Sequence, residues 1–390
     1  MIILLKIFKY HLRIIYFFIK IFVKPKRQVF FLSRQVNEPS INYKYLIDYI
    51  KANDSTIKIK VSCKRVSEEL NKLVHKNEEK IKISSIVKEI GKMISYYFTL
   101  YKQMYYLASS KVVITDGYNV LISTLKHHKD TKIIQMWHAL AAIKKFGYQT
   151  IGKKAGMNHK TAKVLETHKN YDYILSGSDA MKKYFSEAFN TDKEKILSIG
   201  TPYIDYLLKT KPNKKEAYKN YPNTKGKEII LYCPTFRKNG KNVVNDIINK
   251  IDLKKYCLMI RLHPMDCVNI PEIIPEGVYL NPDIEYVTLL KMSNYVITDY
   301  SAIMIEASIV SSNVLLYVYD YEQYKKENGL NINLFEELNG CVFKDFKKLM
   351  KCIDNNKYDR KQLLAFRKKY VTNLKGNSTE EIYKLIKELL

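Results

Sequence analysis

The sequence has few cysteines, and they do not occur in closely spaced pairs. Its six cysteines are spread over 390 residues without a Cys-x-x-Cys motif or an accompanying pair of histidines. Structural zinc sites and disulfide frameworks need closely placed ligands or bridging partners, so this pattern indicates neither. We expect reduced cysteines that serve as small apolar residues, and hence a reducing compartment.

Acidic residues are also scarce. The chain carries 39 Asp and Glu against 66 Lys and Arg, which gives a formal net charge of +27. Either the lysines cover solvated faces, or they attract a polyanion such as an acidic membrane leaflet, a polyphosphate substrate or nucleic acid. Nucleic acid is not expected as a partner, because the aromatic residues are not interleaved with basic ones in a recognisable binding module.

The sequence has no internal repeats, so its length has to be explained by globular domains. The 390 residues exceed what one hydrophobic core usually organises, and the composition is 46% hydrophobic, which suffices for globular cores. We therefore expect two globular domains.

The N-terminal segment is apolar but lacks an uninterrupted hydrophobic run and a small-residue cleavage site. In a helix, Lys6, Arg13 and Lys20 fall nearly on one line, and Lys9 lies about 60° away. Internal charges are costly in a membrane span, and a signal peptide is not indicated. We predict that residues 1–27 form an amphipathic helix in the membrane interface, at the cytoplasmic face. A helix packed on the protein's own core and a true span are the alternatives.

Short apolar runs alternate with helix-like segments along the rest of the chain. This alternation predicts parallel sheets covered on both faces, and therefore an α/β fold. The predicted strands are residues 28–33, 57–61, 111–116, 131–136, 171–176, 195–198, 228–233, 256–262, 277–280, 294–298 and 313–317. A stretch rich in Lys, Asn and Pro at 212–226 is the predicted linker. It separates domains at 28–212 and 226–390, which we expect to face each other across a cleft.

His138 follows the predicted strand at 131–136 and lies beside the single Trp of the chain. In open α/β sheets, ligands bind outside the carboxyl ends of the strands. His138 is therefore a candidate general base, because an unperturbed histidine titrates near neutral pH. A structural hydrogen-bonding role is the alternative.

Two further strand ends carry a cation beside a polar group. Thr235 and Arg237 follow one predicted strand, and Arg261 and His263 follow another. Arginine suits bidentate contacts with phosphate, and in an extended segment residues 261 and 263 point to the same side. Either motif alone also fits an ordinary strand exit with a surface arginine.

Residues 295–306 join a β-branched run to an Asp-Tyr-Ser-Ala turn and an apolar helical segment. The free N–H groups and partial positive charge of a helix N-terminus favour phosphate at such a junction. Ser301 would offer its hydroxyl group, and the amides that begin at Ala302 would complete the site. Asp299 either orients the turn or caps the helix. Glu306 either reaches a ribose or the acceptor, or is an exposed carboxylate.

Together these motifs resemble those of the CDP-glycerol glycerophosphotransferases, the teichoic-acid primases and polymerases, and they occur in the same order. The resemblance rests on Trp137-His138-Ala139, a Ser-Gly-Ser-Asp stretch within 176–189, and residues 200–205, 234–237, 261–264, 297–301 and 376–379. It covers roughly residues 105–390. The ordered set is specific, although no single motif is.

The resemblance implies a GT-B-like fold in which two Rossmann-type domains face each other and the second binds a CDP-alcohol. The acceptor hydroxyl would attack the β-phosphorus and release CMP, whose developing charge would be stabilised by cations and a helix N-terminus. The expected catalytic residues are His138 and His263, and the expected substrate-binding residues are Thr235, Arg237, Arg261, Asp299, Ser301, Ala302 and Glu306. No metal and no cofactor beyond the CDP-alcohol donor are expected.

Glycerol phosphate is the leading transferred group, so CDP-glycerol is the expected donor, with CDP-ribitol as the alternative. The expected acceptor is a lipid-linked teichoic-acid-like or capsular glycopolymer. A nucleotide-sugar-dependent glycosyltransferase of cell-surface polysaccharide synthesis is the second interpretation, because it would share the fold and the phosphate site. The chain departs from the family pattern at 139–142, where Gly and Thr-Pro are usual, at 203–205, which lack an Arg, and at Ala302, where a second Ser is common.

Overall fold

Two parallel β-sheets form the frame of the molecule. The computed structural model describes residues 2–65, 83–153, 156–237, 243–262, 273–310 and 313–390. Within these ranges the strands form two six-stranded sheets, and every pairing between the strands is parallel. This confirms the predicted α/β class with two Rossmann-type sheets.

The N-terminal sheet has the strand order β2-β1-β3-β4-β5-β6. Its strands are β1 (Lys26–Ser33), β2 (Lys58–Cys63), β3 (Ser110–Thr115), β4 (Lys132–Gln135), β5 (Tyr173–Leu175) and β6 (Ile196–Leu197). The helices of this half are α1 (Ile2–Phe22), α2 (Ile41–Asn53), α3 (Ile83–Ser109), α4 (Val120–Thr124), α5 (His159–Val164), α6 (Lys182–Phe189) and α7 (Pro202–Lys209). Short 3-10 helices occupy Gly147–Thr150, Asp179–Met181 and Lys193–Lys195.

The C-terminal sheet has the strand order β12-β11-β10-β7-β8-β9. Its strands are β7 (Glu228–Tyr232), β8 (Tyr256–Ile260), β9 (Val278–Leu280), β10 (Tyr295–Thr298), β11 (Val314–Tyr317) and β12 (Val342–Phe343). The helices that follow α7 are α8 (Lys214–Asn220), α9 (Val244–Ile248), α10 (Tyr286–Met292), α11 (Ile303–Val310), α12 (Tyr321–Glu327), α13 (Leu334–Glu337), α14 (Phe346–Asp354), α15 (Arg360–Tyr370) and α16 (Ser378–Leu389).

The central strands of the second sheet are buried along almost their whole length, as unbroken apolar runs require when helices cover both faces. From β7 the chain winds outward through β8 and β9, and from β10 it winds the other way. The winding direction therefore reverses between β7 and β10. In open α/β sheets, the crevice at the carboxyl ends of two such strands is the usual ligand site.

The predicted linker at 212–226 is folded. Most of it forms α8 and a 3-10 turn at Pro222–Thr224. Lys291 of α10 donates to the carbonyl oxygens of Leu208 and Thr210 at 3.2 and 2.6 Å, and thereby fixes the start of the connection.

The last helix crosses back to the N-terminal half, although sequence position assigns it to the second domain. Ile382 and Ile386 pack with Val29 of β1 in an apolar cluster. The buried carboxylate of Asp205 accepts hydrogen bonds from the backbone N–H groups of residues 378 and 379 at 3.0 and 2.8 Å. Two of the motifs that carry the family resemblance, 200–205 and 376–379, are thus joined as a cap of α16.

Helix α1 lies on the N-terminal half, and two of its basic side chains point towards the protein. Lys9 and Arg13 both pair with Glu166, and Leu12 and Tyr16 are buried. Large apolar residues remain exposed along the opposite surface, from Ile3 to Phe22. Strand β1 begins at Lys26, so the last residues of the predicted 1–27 segment belong to the sheet. In the part of the chain that the structure describes, no helix is both long and apolar enough to cross a membrane.

Candidate active site

A cavity of about 760 Å³ lies between the two halves, at the carboxyl ends of β7, β8 and β10. It brings together four of the predicted substrate-binding residues: Thr235, Arg261, Ser301 and Glu306. The remaining lining residues are Lys144, Lys145, Pro234, Phe236, Leu262, Tyr286, Ile303, Tyr324 and Asn328.

Asp299 organises the exits of β7 and β10 from beneath the cavity. Its carboxylate accepts the backbone N–H of Thr235 at 3.0 Å and the Thr235 hydroxyl at 2.6 Å. It also accepts the backbone N–H of Tyr300 at 2.6 Å. Asp299 is buried and does not line the cavity, so in this structure it orients the turn and fixes Thr235.

Arg237 has a different environment from the one expected of a phosphate ligand. Its guanidinium pairs with Asp299 at 2.9 Å and with Asp320 at 2.7 Å, and it lies over the ring of Tyr324, 4.8 Å from the centroid. It does not line the cavity. Two carboxylates already neutralise Arg237, so the structure shows it as a support for the strand exits.

Arg261 does face the cavity, at the end of β8. Its guanidinium lies over the ring of Tyr286, 5.1 Å from the centroid, and donates to the Ile284 carbonyl at 3.4 Å. Among the described residues no carboxylate lies within 4.0 Å of its nitrogens, so its charge is available to an anion. His263, the other predicted residue of this exit, lies outside the described residues.

The N-terminus of α11 forms one wall of the cavity. Ser301 and Ile303 line it, and the Ser301 hydroxyl oxygen accepts the Ile303 N–H at 3.3 Å. Ala302 precedes the first residue of α11 and does not line the cavity. The partial positive charge of this helix end adds to that of Arg261.

Glu306 lines the cavity and is not an exposed surface carboxylate. It accepts the hydroxyl of Tyr203, which belongs to α7 of the N-terminal half, at 3.3 Å. Burial raises the pKa of Glu306. Tyr203 belongs to the segment 203–205, which lacks the Arg of the family pattern. The contact between Tyr203 and Glu306 is therefore made by a segment in which this chain departs from that pattern.

His138 directly follows an unusual backbone turn. Trp137 adopts a left-handed conformation, with φ 53°, which is costly for a bulky residue and persists only when its surroundings enforce it. The Trp137 ring stacks on Phe146 at 4.5 Å and meets Phe189 edge-on at 5.3 Å. This aromatic packing holds the turn that leaves His138 accessible.

The surroundings of His138 suit a neutral base. Its Nδ1 lies 3.2 Å from the carbonyl oxygen of Asp116, so a proton on Nδ1 leaves Nε2 free to accept one. Crowding by protein lowers the pKa of His138, although the ring still contacts solvent. His138 does not itself line the cavity. The loop that follows His138 carries Lys144, which does line the cavity.

Lys144 was not among the site residues predicted from the sequence. Its loop forms an antiparallel bridge with Leu330 of the other half, and the side chain of Asn331 donates to the Lys144 carbonyl at 3.2 Å. The Lys144 ammonium reaches the Thr235 hydroxyl at 3.4 Å. Burial lowers the pKa of Lys144 to about 8. The signal available in the sequence was its position six residues after His138.

Asp116 is a second residue that was not selected. It is buried at the end of β3, and burial raises its pKa to about 6. Its Oδ1 has no hydrogen-bond partner within the described structure. The signal available in the sequence was that the predicted strand at 111–116 ends in this Asp residue.

The fold is GT-B-like, with two parallel six-stranded sheets and a cationic cavity between the two halves. The family model for CDP-glycerol:poly(glycerophosphate) glycerophosphotransferases matches residues 14–388. The chain therefore belongs to this family of transferases.

Relatives of known name agree with the family. The chain is 29% identical over 333 residues to a teichoic acid ribitol-phosphate primase of Bacillus spizizenii, covering 81% of this chain and 85% of the relative. It is 30% identical over 299 residues to a teichoic acid glycerol-phosphate primase of Bacillus subtilis, covering 75% and 77%. The solved wall teichoic acid polymerase TagF matches with TM-score 0.70 and 20% identity, over 95% of this chain and 90% of that one, which shows the shared fold.

The expectation that no metal takes part stays a prediction. Across the described ranges, no group of three or more His, Cys, Asp or Glu side chains could hold a metal ion. His263 and its neighbours up to residue 272 lie outside those ranges.

Proposed function

We propose that this enzyme transfers a polyol phosphate from a CDP-alcohol to an acceptor hydroxyl group and releases CMP. The cavity between the halves carries this proposal. Lys144, Arg261 and the N-terminus of α11 converge on it, and a pyrophosphate needs such cations and backbone amides.

The arrangement suits in-line displacement at phosphorus. The acceptor oxygen would bond to the β-phosphorus while the bond from that phosphorus to the CMP oxygen breaks. His138 Nε2 would take the proton of the acceptor hydroxyl. The charge that develops on CMP would be stabilised by Arg261, Lys144 and the helix end, which are positioned before the reaction begins.

Ser301 would donate its hydroxyl to the pyrophosphate, because the oxygen of that hydroxyl only accepts the Ile303 N–H. The N–H and the hydroxyl of Thr235 both donate to Asp299, so Thr235 would act by holding the Lys144 ammonium, which donates to its hydroxyl oxygen at 3.4 Å. His263 keeps its predicted catalytic role as a proposal. Arg237 would act indirectly, by holding the Asp299 carboxylate in place.

Glycerol phosphate remains the leading transferred group. Relatives named as ribitol-phosphate and glycerol-phosphate primases match the chain almost equally, so their names do not choose between the polyols. A lipid-linked glycopolymer is the proposed acceptor in either case.

A donor panel tests the reaction. The purified protein is incubated with CDP-glycerol, CDP-ribitol or UDP-sugars together with a lipid-linked acceptor, and the released nucleotide is quantified. CMP release with one CDP-alcohol is the expected result and identifies the polyol. UDP release, or no release with either CDP-alcohol, would contradict the proposal and favour a sugar transferase or a non-catalytic role.

We also propose that the protein attaches peripherally to the cytoplasmic face of the membrane through α1. The row of exposed apolar side chains on this helix supports the proposal: Ile3, Leu4, Ile7, Tyr10, Ile14, Phe17, Phe18, Ile21 and Phe22. A row that follows a 21-residue helix spans about 30 Å, and an exposed apolar surface of this extent marks an interaction site.

Point variants test attachment more cleanly than truncation, because removing residues 1–27 would expose the core behind Leu12 and Tyr16. Ile14→Ser with Phe18→Ser should move the protein from the membrane fraction to the soluble fraction. Leu364→Ser, an exposed apolar residue of α15 in the other half, should leave the distribution unchanged. An unchanged distribution of the double variant would contradict the attachment.

A further inference from the structure

A second cavity, of about 430 Å³, lies between α1 and the loops around residues 124–126 and 166–170. Four cations line it, Arg13, Lys20, Lys126 and Lys169, against one carboxylate, Glu166. It shares no lining residue with the cavity between the two halves. The reaction proposed above makes no use of it.

The charges around this second cavity are not balanced. Glu166 is already paired with Lys9, Arg13 and Lys169. Within the described chain, Lys20 and Lys126 have no carboxylate at salt-bridge distance. Burial, followed by the charges of Lys126 and Lys24, lowers the pKa of Lys20. Ammonium groups held together without a counter-ion favour the binding of an anion.

The loop that borders the cavity is fixed in an uncommon shape. Glu166, His168 and Asn170 all have left-handed backbones, with φ 48°, 61° and 72°. The Asn170 amide donates to the carbonyl oxygens of Ile122 and Leu125 at 2.9 and 3.0 Å. Backbones of this kind persist where surrounding contacts enforce them, so the cavity is formed before any ligand arrives.

Helix α1 is fixed against the same loops. The Tyr16 hydroxyl donates to His127 Nδ1 at 3.1 Å, because the other ring nitrogen donates to the Ile122 carbonyl at 2.8 Å. Burial lowers the pKa of His127 to about 4, so this ring is neutral and adds no charge. The positive charge of the cavity therefore comes from the lysines and Arg13.

The cavity adjoins the apolar surface of α1. Phe17 lines the cavity and is itself 59% exposed, and Ile14, Phe18 and Ile21 continue the exposed row beside it. A helix that buries such a row in a bilayer interface lies at the depth of the lipid head groups. Cations next to that row would then meet phosphate groups.

We propose that this cavity binds the phosphate group of an anionic membrane lipid, held by the ammonium groups of Lys20 and Lys126. The acyl chains would lie along the exposed row that begins at Phe17. The volume is sufficient for a glycerophosphate head group. This inference rests on the proposed membrane attachment and adds a discrete, lipid-selective site to it.

Vesicle co-sedimentation of the full-length protein tests the site. The probes are vesicles of phosphatidylcholine alone and vesicles that also contain phosphatidylglycerol. The wild type should bind the second kind more tightly, and Lys20→Gln and Lys126→Gln should each weaken that binding about fivefold. Binding to pure phosphatidylcholine should not change in these variants, because it reports on the apolar row.

Lys6→Gln is the matched control, because Lys6 is an exposed cation of the same helix that does not line the cavity. An equal loss in Lys6→Gln would show diffuse attraction and overturn the discrete site. Thermal stabilisation by inorganic phosphate, with no preference for phosphatidylglycerol vesicles, would assign the site to free phosphate and overturn the lipid. Loss of all vesicle binding in Ile14→Ser with Phe18→Ser, together with an unchanged preference for phosphatidylglycerol in Lys20→Gln and Lys126→Gln, would support attachment and overturn the head-group site.

Discussion

The two sides of the cleft hold their functional side chains by different means. On the C-terminal side, Asp299 gathers Thr235 and Arg237 through charged hydrogen bonds. On the N-terminal side, Trp137 is packed between aromatic rings and presents His138.

The difference follows from what each side has to bind. A pyrophosphate carries charge, so its side needs cations and donors whose positions are set by buried carboxylates. A general base must stay neutral near pH 7, and apolar packing can orient an imidazole without adding a charge that would perturb it. Each of the following variants alters one side and leaves the other intact.

His138→Ala should have the largest effect. Loss of the proposed base should reduce turnover about 10²- to 10⁴-fold, while the affinity for the CDP-alcohol should stay as in the wild type. Steady-state rates and calorimetric donor binding measure the two properties. His159→Ala, which removes an exposed histidine outside the cavity, should keep full turnover. A fully active His138→Ala would remove this residue from the mechanism.

Asp299→Ala should disrupt the donor side. Arg237 would keep one of its two carboxylate partners, and the Thr235 and Tyr300 N–H groups would lose their acceptor. The free energy of unfolding should fall by about 3 kcal/mol, because a buried ion pair is broken, and donor affinity should fall with it. Urea unfolding measures the first effect.

Glu322→Gln provides the control for Asp299→Ala, since it breaks an exposed pair with Lys344 and should leave stability unchanged. A stable Asp299→Ala variant with normal donor affinity would show that the carboxylate does not organise the strand exits.

The protonation of Lys144 should change when the donor binds. Burial lowers its pKa to about 8, and a bound pyrophosphate should raise that pKa towards the ordinary lysine value. The complex then holds more protons than the free enzyme at pH above 8, so donor binding should take up protons there, and affinity should fall as pH rises through this range.

Calorimetry in buffers of different ionisation enthalpy measures this uptake. Lys144→Met should abolish it and weaken donor binding about tenfold, whereas Lys326→Met, at an exposed position of α12, should change neither. Proton uptake that persists in Lys144→Met would place the titrating group elsewhere.

Phe146→Leu should have the smallest effect, on the aromatic side. The variant loses the ring stacked on Trp137, which should cost about 1 kcal/mol of unfolding free energy. Turnover should fall modestly because the His138 turn is less well held, and donor affinity should be unaffected. Phe98→Leu, at an exposed position of α3, is the control. A loss of donor affinity equal to the loss of turnover would contradict the separation of the two sides.

The strands were predictable wherever an apolar run is long enough to be buried on both faces. The run at 228–233 became β7 and the run at 256–262 became β8, each within two residues at its end. Strand β12 was not predicted, because its two residues at the sheet edge are too few to show a periodicity.

The candidate site was only partly predictable. Thr235, Arg261 and Ser301 were found from their positions after strands, and the structure places all three on one cavity. Lys144 was not found, because its position six residues after His138 does not reveal that the opposite half partly covers it. The role of each site residue stays a prediction until the variants are measured.

The sequence by itself determined the α/β class and the order of the motifs that define the family, because burial periodicity and strand-end chemistry are local properties. Tertiary structure alone decided which charges are neutralised. Arg237 meets Asp320 across 83 positions, whereas Arg261 meets no carboxylate among the described residues. It also decided that α1 turns Lys9 and Arg13 towards Glu166 and leaves its apolar row outside. The free energy of a charge depends on what surrounds it in space, and neighbours in the chain do not specify those surroundings.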